Sequence, residues 1–227
     1  MRFFPGFLAT FLAALTLVVL LYASLATADS LHYTVTDLGT LGSGDASWAL
    51  GINDLGEVVG YSRVSPGSPP HAFLYRSGTM VDLGTIAGIE SAASAINDRG
   101  EVVGVSEAIG PGGDLTDTAF LYSNGEMTDL GAAFGFAISQ ANDINDRGEI
   151  VGTDGLTRAF LYGNGAMTIL PTPGVSFANG INDLGQVVGT MQTASGQDAF
   201  LYSDGVLTDL GTLGLHLAGA SDINDPG

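Results

Sequence analysis

The 227-residue chain has no cysteine, no lysine and one tryptophan, Trp48. Without cysteine, disulfides and thiolate metal sites are excluded. The basic residues are six arginines against 24 acidic residues, a formal net charge of −18. That balance argues against a nucleic-acid or anionic-membrane surface. Its simplest use is solubility outside the cell, and the partner that would otherwise exploit it is a cation or polycation. Long apolar runs are confined to residues 7–26, behind Arg2 and before Ala26-Thr27-Ala28. That pattern reads as an export signal. Cleavage before Asp29 removes 28 of the 227 residues and leaves 199. An uncleaved anchor is the alternative, since the run approaches the ~20 residues that span a bilayer. The expected organisation is a signal peptide, residues 1–28, and a β-repeat domain, residues 29–227, with no membrane association after cleavage. A chain of this size hides roughly 70% of its unfolded surface and needs no covalent staples.

What the sequence does contain is repetition. "INDLGEVVG" at Ile52 returns as "INDRGEVVG" at Ile96, "INDRGEIVG" at Ile144 and "INDLGQVVG" at Ile181, and "INDPG" follows at Ile223. A second module begins "AFLY" at Ala72, Ala119, Ala159 and Ala199 and closes twelve positions later at Gly84, Gly131, Pro171 and Gly211. Both modules have fixed length. The joint from "VVG" to "AFLY" varies between 7 and 15 positions, whereas the joint from the second module to the next "IND" varies only between 10 and 13. Units recurring every 37 to 48 residues must stack on their neighbours to bury their apolar faces.

Each module reads as a β-hairpin. Asn53-Asp54-Leu55-Gly56 suits a type I turn with a bulge, because Asn can cap the turn's backbone and Gly can take positive φ. Ser77-Gly78, Asn124-Gly125, Asn164-Gly165 and Asp204-Gly205 suit two-residue hairpin turns. Two hairpins give four strands per repeat. The consecutive apolar residues of "VV" and "AFLY" imply strands covered on both faces. The strand entering "IND" carries small residues, Ser47 and Ala49, Ser91 and Ala93, Ser139 and Ala141, Ser176 and Ala178, Ala218 and Ala220. These suit the crowded strand nearest a propeller axis. The expected fold is all-β, a repeat array of four-stranded antiparallel units, β-propeller-like and incomplete. An open β-solenoid or array is the alternative. Residues 33–42 match the closing strand of a repeat, and residues 217–227 match the opening strand and turn of a fifth.

"HAFLYRSGTMVDLGTI", from His71, together with "INDLGEVVG", resembles the HAF-repeat family of extracellular repeat proteins. The resemblance covers residues 33–227 and implies a secreted or cell-surface location without implying an activity. One departure is plain: the histidine occurs only at His71, and Thr118, Arg158 and Asp198 stand at the equivalent positions.

Asn53, Asp54 and Glu57, with Asp82, Asp129 and Asp209 nearby in the repeat pattern, raise the question of calcium. A five-residue turn supplies fewer than the six to eight oxygens calcium takes, and Ile169 breaks the aspartate set. No metal or cofactor is expected. Residues that stand out from the repeat are Trp48, Arg63, Arg76, His71, Arg158 and His216, yet no nucleophile elbow, histidine metal pair or phosphate loop accompanies them. No catalytic, cofactor-binding or metal residue is assigned. The expected function is a non-enzymatic binding or surface-structural module, with an extracellular glycan or protein as partner through the variable loops, residues 61–71, 105–118, 153–158 and 190–198. The alternative is a propeller-type carbohydrate-active enzyme with a central cleft.

Overall fold

The computed structural model describes residues 33–109, 112–134, 139–212, 214 and 217–225; the expected signal peptide lies outside these. The chain divides into two compact units, Met1–Asp37 and Leu38–Gly227. The second unit holds the repeats. Its strands form four antiparallel sheets of four, each ordered as in the chain. The first is β1 (Ser47–Ile52), β2 (Val58–Arg63), β3 (Pro70–Arg76) and β4 (Thr79–Gly84). The second is β5 (Ser91–Ile96), β6 (Val102–Ile109), β7 (Leu115–Ser123) and β8 (Glu126–Asp129). The third is β9 (Ser139–Ile144), β10 (Ile150–Asp154), β11 (Ala159–Gly163) and β12 (Ala166–Ile169). The fourth is β13 (Ser176–Ile181), β14 (Val187–Gln192), β15 (Gln197–Ser203) and β16 (Val206–Gly211).

Both turn types form as their residues dictate. In the first IND turn, Gly56 N donates to Asn53 O at 3.0 Å and Asn53 N to Glu57 O at 3.1 Å. Gly56 takes a φ of 75° there. In the β3–β4 turn, Ser77 and Gly78 both have positive φ, 50° and 81°. That is the mirror-image turn whose twist matches the flanking strands.

The small-residue strands β1, β5, β9 and β13 lie side by side, and β5, β9 and β13 each also pack against the middle strands of the preceding sheet. The apolar cores are therefore layers between sheets. Val59, Ala72 and Leu74 of the first sheet meet Ala93, Ile96 and Phe120 of the second. Val103 and Ala119 meet Ala141, Ile144 and Phe160. Val151 and Ala159 meet Ala178, Ile181 and Phe200. This stacking makes the sheets blades of a propeller-like array and sets aside the solenoid. The seam is also hydrogen-bonded. The Oγ atoms of Ser91, Ser139 and Ser176, each opening an inner strand, accept from the amides of Ala72, Ala119 and Ala159 at 2.8, 3.0 and 2.9 Å.

The two ends differ from the expected strands. Residues 33–42 carry no strand, although Gly39 O accepts from Ser47 Oγ as Gly84 O does from Ser91 Oγ. Ile52 of the first blade is 69% exposed, whereas its equivalents Ile96, Ile144 and Ile181 are 5–7% exposed under the blade before them. At the other end, Leu217 makes a parallel bridge to Gln197 instead of a strand. In the second blade the expected "DLG" strand end becomes a short helix, α1 (Leu130–Phe134). Asp129 Oδ1 accepts from Ala132 N at 2.8 Å, which caps a helix that the two alanines favour.

Candidate functional site

Because each sheet is antiparallel and ordered along the chain, its two constant turns lie at one end and its β2–β3-type loop at the other. The constant end carries the IND turns, whose asparagines act twice. Asn53 Oδ1 accepts from Glu57 N at 2.9 Å, which caps its own turn. Its Nδ2 donates to Glu57 Oε2 at 2.9 Å and across the seam to Asn97 O at 3.0 Å. The cross-seam bond recurs from Asn97 to Asn145 O and from Asn145 to Asn182 O, both at 3.0 Å, and from Asn182 to Asn224 O at 3.3 Å. Beside it runs a second line: Asp54, Asp98, Asp146 and Asp183 each donate a backbone amide to Oδ1 of the next aspartate, ending on Asp225, at 2.7–2.9 Å. These turns line a polar cavity of about 230 Å³.

Of the carboxylates raised as calcium candidates, Glu57 is engaged in this ladder, while Asp82, Asp129 and Asp209 accept within their own blades from the amides of Gly84, Ala132 and Gly211 at 2.8 Å. Gln186 replaces the glutamate in the fourth repeat and its Oε1 accepts from Asn182 at 2.9 Å, a role that needs an oxygen and no charge. Among the described residues, no three His, Cys, Asp or Glu side chains group so as to hold a metal.

Asp143, just before the third IND turn, occupies the place of Gly51, Ala95 and Gly180. Its Oδ1 accepts from Ile144 N and its Oδ2 from Ile181 N of the next blade, both at 2.8 Å. Burial pushes its pKa from the ordinary 3.8 up to about 6; the two amide bonds oppose this and Asp222 adds to it. A carboxyl whose pKa is raised in the folded state binds its proton more tightly there. Its contribution is fully present below about pH 4 and is lost as pH rises through about 6. A rise from 3.8 to about 6 corresponds to about 3 kcal/mol. The stability difference between wild type and Asp143→Asn should thus change by that order between pH 4 and 7. Parallel pH–stability curves in urea would contradict the assignment.

The variable end presents a different chemistry. Between the first and second blades lies a cleft of about 210 Å³. Tyr61, Pro70, Ala92 and Val105 give it an apolar wall, and Glu90, Glu107 and Asp117 add carboxylates. Trp48 stacks on Tyr61 with ring centroids 4.9 Å apart. Among the described residues, no basic side chain lines the cleft. Ser91 Oγ and Ser106 Oγ are held in the seam by Ala72 N and Ile86 N, and they donate onward to the carbonyls of Gly84 and Glu90.

Of the residues that stand out from the repeat, Trp48 and Arg63 come to the variable end with this cleft. Arg63 pairs with Asp45 at 3.3 Å. His71 Nδ1 lies 3.0 Å from both oxygens of Asp82 on the adjacent strand. This pairing explains the variation at the His71 position. Its cross-strand partner lies eleven residues on, and in the second blade Thr118 Oγ1 donates to Asp129 Oδ1 at 2.6 Å. In the third blade Ile169 leaves Arg158 without that partner, and Arg158 instead donates to the buried Asp154 at 2.6–2.8 Å. In the fourth, Asp198 faces Asp209 in sequence and takes its bonds from Thr193 and Ser195. Arg76 lies at the constant end, lining a cavity with Arg99 and Tyr122. His216 lies outside the described residues. The sequence did not single out Tyr61, Glu90, Glu107 or Asp117 by type; the available signal was their place in the joints between modules.

No protein-family model matches the chain, and no curated protein matches it. Among solved structures it is similar to the Pyrococcus horikoshii acylaminoacyl peptidase, a propeller-type peptidase, with a TM-score of 0.52 and 16% identity. The match covers 73% of this chain and 27% of that one. The fold is propeller-like. At this identity the likeness carries the architecture alone.

Proposed function

We propose that the protein is an exported binding module of the HAF-repeat type that recognises its partner at the variable end. The observation that supports this is the division of labour between the two ends. Repeated residues at the constant end are engaged in turn caps and cross-seam bonds, whereas the variable end combines loops of differing length with an aromatic, acidic cleft. Insertions at one joint project from one face, where repeat proteins usually recognise partners. A non-enzymatic role accords with His71 being held by Asp82 within its own blade and with Asp143 being held by two backbone amides.

The test is a screen of the purified repeat domain on arrays of glycans and peptides, repeated with two variants. One replaces residues 64–69 and 193–196 by Gly-Ser segments of equal length; the other carries Glu126→Gln and Asp204→Asn at exposed constant-end turns. Binding lost in the first and kept in the second is expected. The reverse pattern would place recognition at the constant end and contradict the proposal.

A further inference from the structure

We infer that the cleft between the first and second blades receives an arginine side chain presented by a protein partner. This deepens the reading of the variable end as the binding end and rests on it. Three observations converge. The cleft, about 210 Å³, is smaller than the roughly 300–1,000 Å³ of cavities that enclose a whole small molecule, so its size suits a single side chain. Its wall is apolar and includes Tyr61, which Trp48 backs in a stacked pair. Its polar groups are almost entirely acceptors. Glu90 and Asp117 are exposed, and Glu107 has one oxygen engaged by Ile89 N at 2.6 Å. Apart from the Tyr61 hydroxyl, the lining side chains offer no free donor, because both serine hydroxyls already donate to carbonyls.

This set of groups discriminates among ligands. A sugar hydroxyl both donates and accepts, and it would leave its acceptor capacity unmet against these walls. A guanidinium donates five hydrogen bonds and accepts none. It is weakly hydrated and stacks on aromatic faces, so an apolar wall costs it less than it costs an ammonium. Carboxylates can receive its donors in bidentate geometry. The net charge of −18 would draw a basic segment toward the domain from a distance.

The test uses the repeat domain and the peptide Gly-Gly-Arg-Gly-Gly, titrated by NMR at physiological salt, where diffuse attraction is largely screened. Shift changes are expected at the amides of Tyr61, Ala92 and Val105. A double variant, Glu90→Gln with Asp117→Asn, should weaken binding by about tenfold or more. Glu126→Gln with Asp204→Asn makes the same charge change at the constant end and should leave the affinity alone. The citrulline peptide, equal in shape and uncharged, should not bind. Equal weakening in the two double variants would mean diffuse attraction and overturn the site. So would equal binding of the citrulline peptide, or no binding of the arginine peptide. A glycan or another peptide that shifts the variable loops but not the cleft would overturn the arginine site and leave the variable-end reading intact. Shifts confined to the IND turns would sink both.

Discussion

Replacing Gly152 by alanine is expected to destabilise the domain by about 3 kcal/mol or more. Gly152 closes the "IVG" of the third repeat, and it pairs with Ala141 on the inner strand β9, beside a register shift in the ladder. A methyl group built there would overlap the carbonyl oxygen of Gln140 and stand 3.0 Å from the Cα of Ala141. Both obstacles are backbone, so no side-chain rotation relieves them. Either β9 and β10 separate or the inner strand moves into the crowded axis. The equivalent Gly60, Gly104 and Gly189 meet the carbonyls of Trp48, Ala92 and Phe177 in the same way. A contrasting control is Gly165→Ala in the β11–β12 turn, where φ is 75° and nothing lies within 4 Å. There only the backbone conformation opposes the change, at about 1 kcal/mol. Urea denaturation measures both. A Gly152→Ala midpoint no lower than that of Gly165→Ala would contradict the close approach.

Phe160→Ala should cost about 3–5 kcal/mol, the range for deleting a fully buried aromatic side chain. Phe160 has no exposed surface, and it belongs to the layer formed with Val103, Ala119 and Leu130 of the preceding blade. The lost contacts are therefore between blades. In a stack where each unit gains its stability from nearest neighbours, weakening one seam weakens the whole array. The variant should show a lower midpoint while circular dichroism and tryptophan fluorescence, the latter reporting on Trp48 in the first blade, still coincide. Separated transitions would mean that the blades fold independently.

The hairpins, the four-stranded repeat and the inner position of the small-residue strands were legible in the sequence, because each follows from local chemistry repeated at fixed spacing. Gly56 and Ser77-Gly78 state their turn conformations, and "AFLY" states that both faces are covered. The seam bonds were not legible. Asn53 satisfies the demands of its own turn, so nothing in the nine residues reveals that its Nδ2 also reaches Asn97 O. The pairing of His71 with Asp82 was hidden differently. Its signal is a correlated pair eleven positions apart, which shows only when the four repeats are read against one another. The ends match the repeat in sequence, yet residues 33–42 carry no strand and Leu217 makes only an isolated bridge to Gln197. Of the candidate site, the variable joints were visible as length differences. The cleft itself was not, because Tyr61, Glu90 and Asp117 come from three segments that only the stacking of two blades brings together.

The blade-to-blade ladder at the IND turns is the structural centre of this account, and amide hydrogen exchange in an Asp146→Ala variant tests it most directly. Asp146 Oδ1 accepts the amide of Asp98, 48 residues earlier, at 2.7 Å. The amide of Asp146 itself donates to Asp183 at 2.8 Å. Removing the carboxylate should therefore speed exchange at Asp98 and leave Asp146 protected. Faster exchange confined to the turn that carries the substitution, with Asp98 unchanged, would mean that the turns are not joined across the seam.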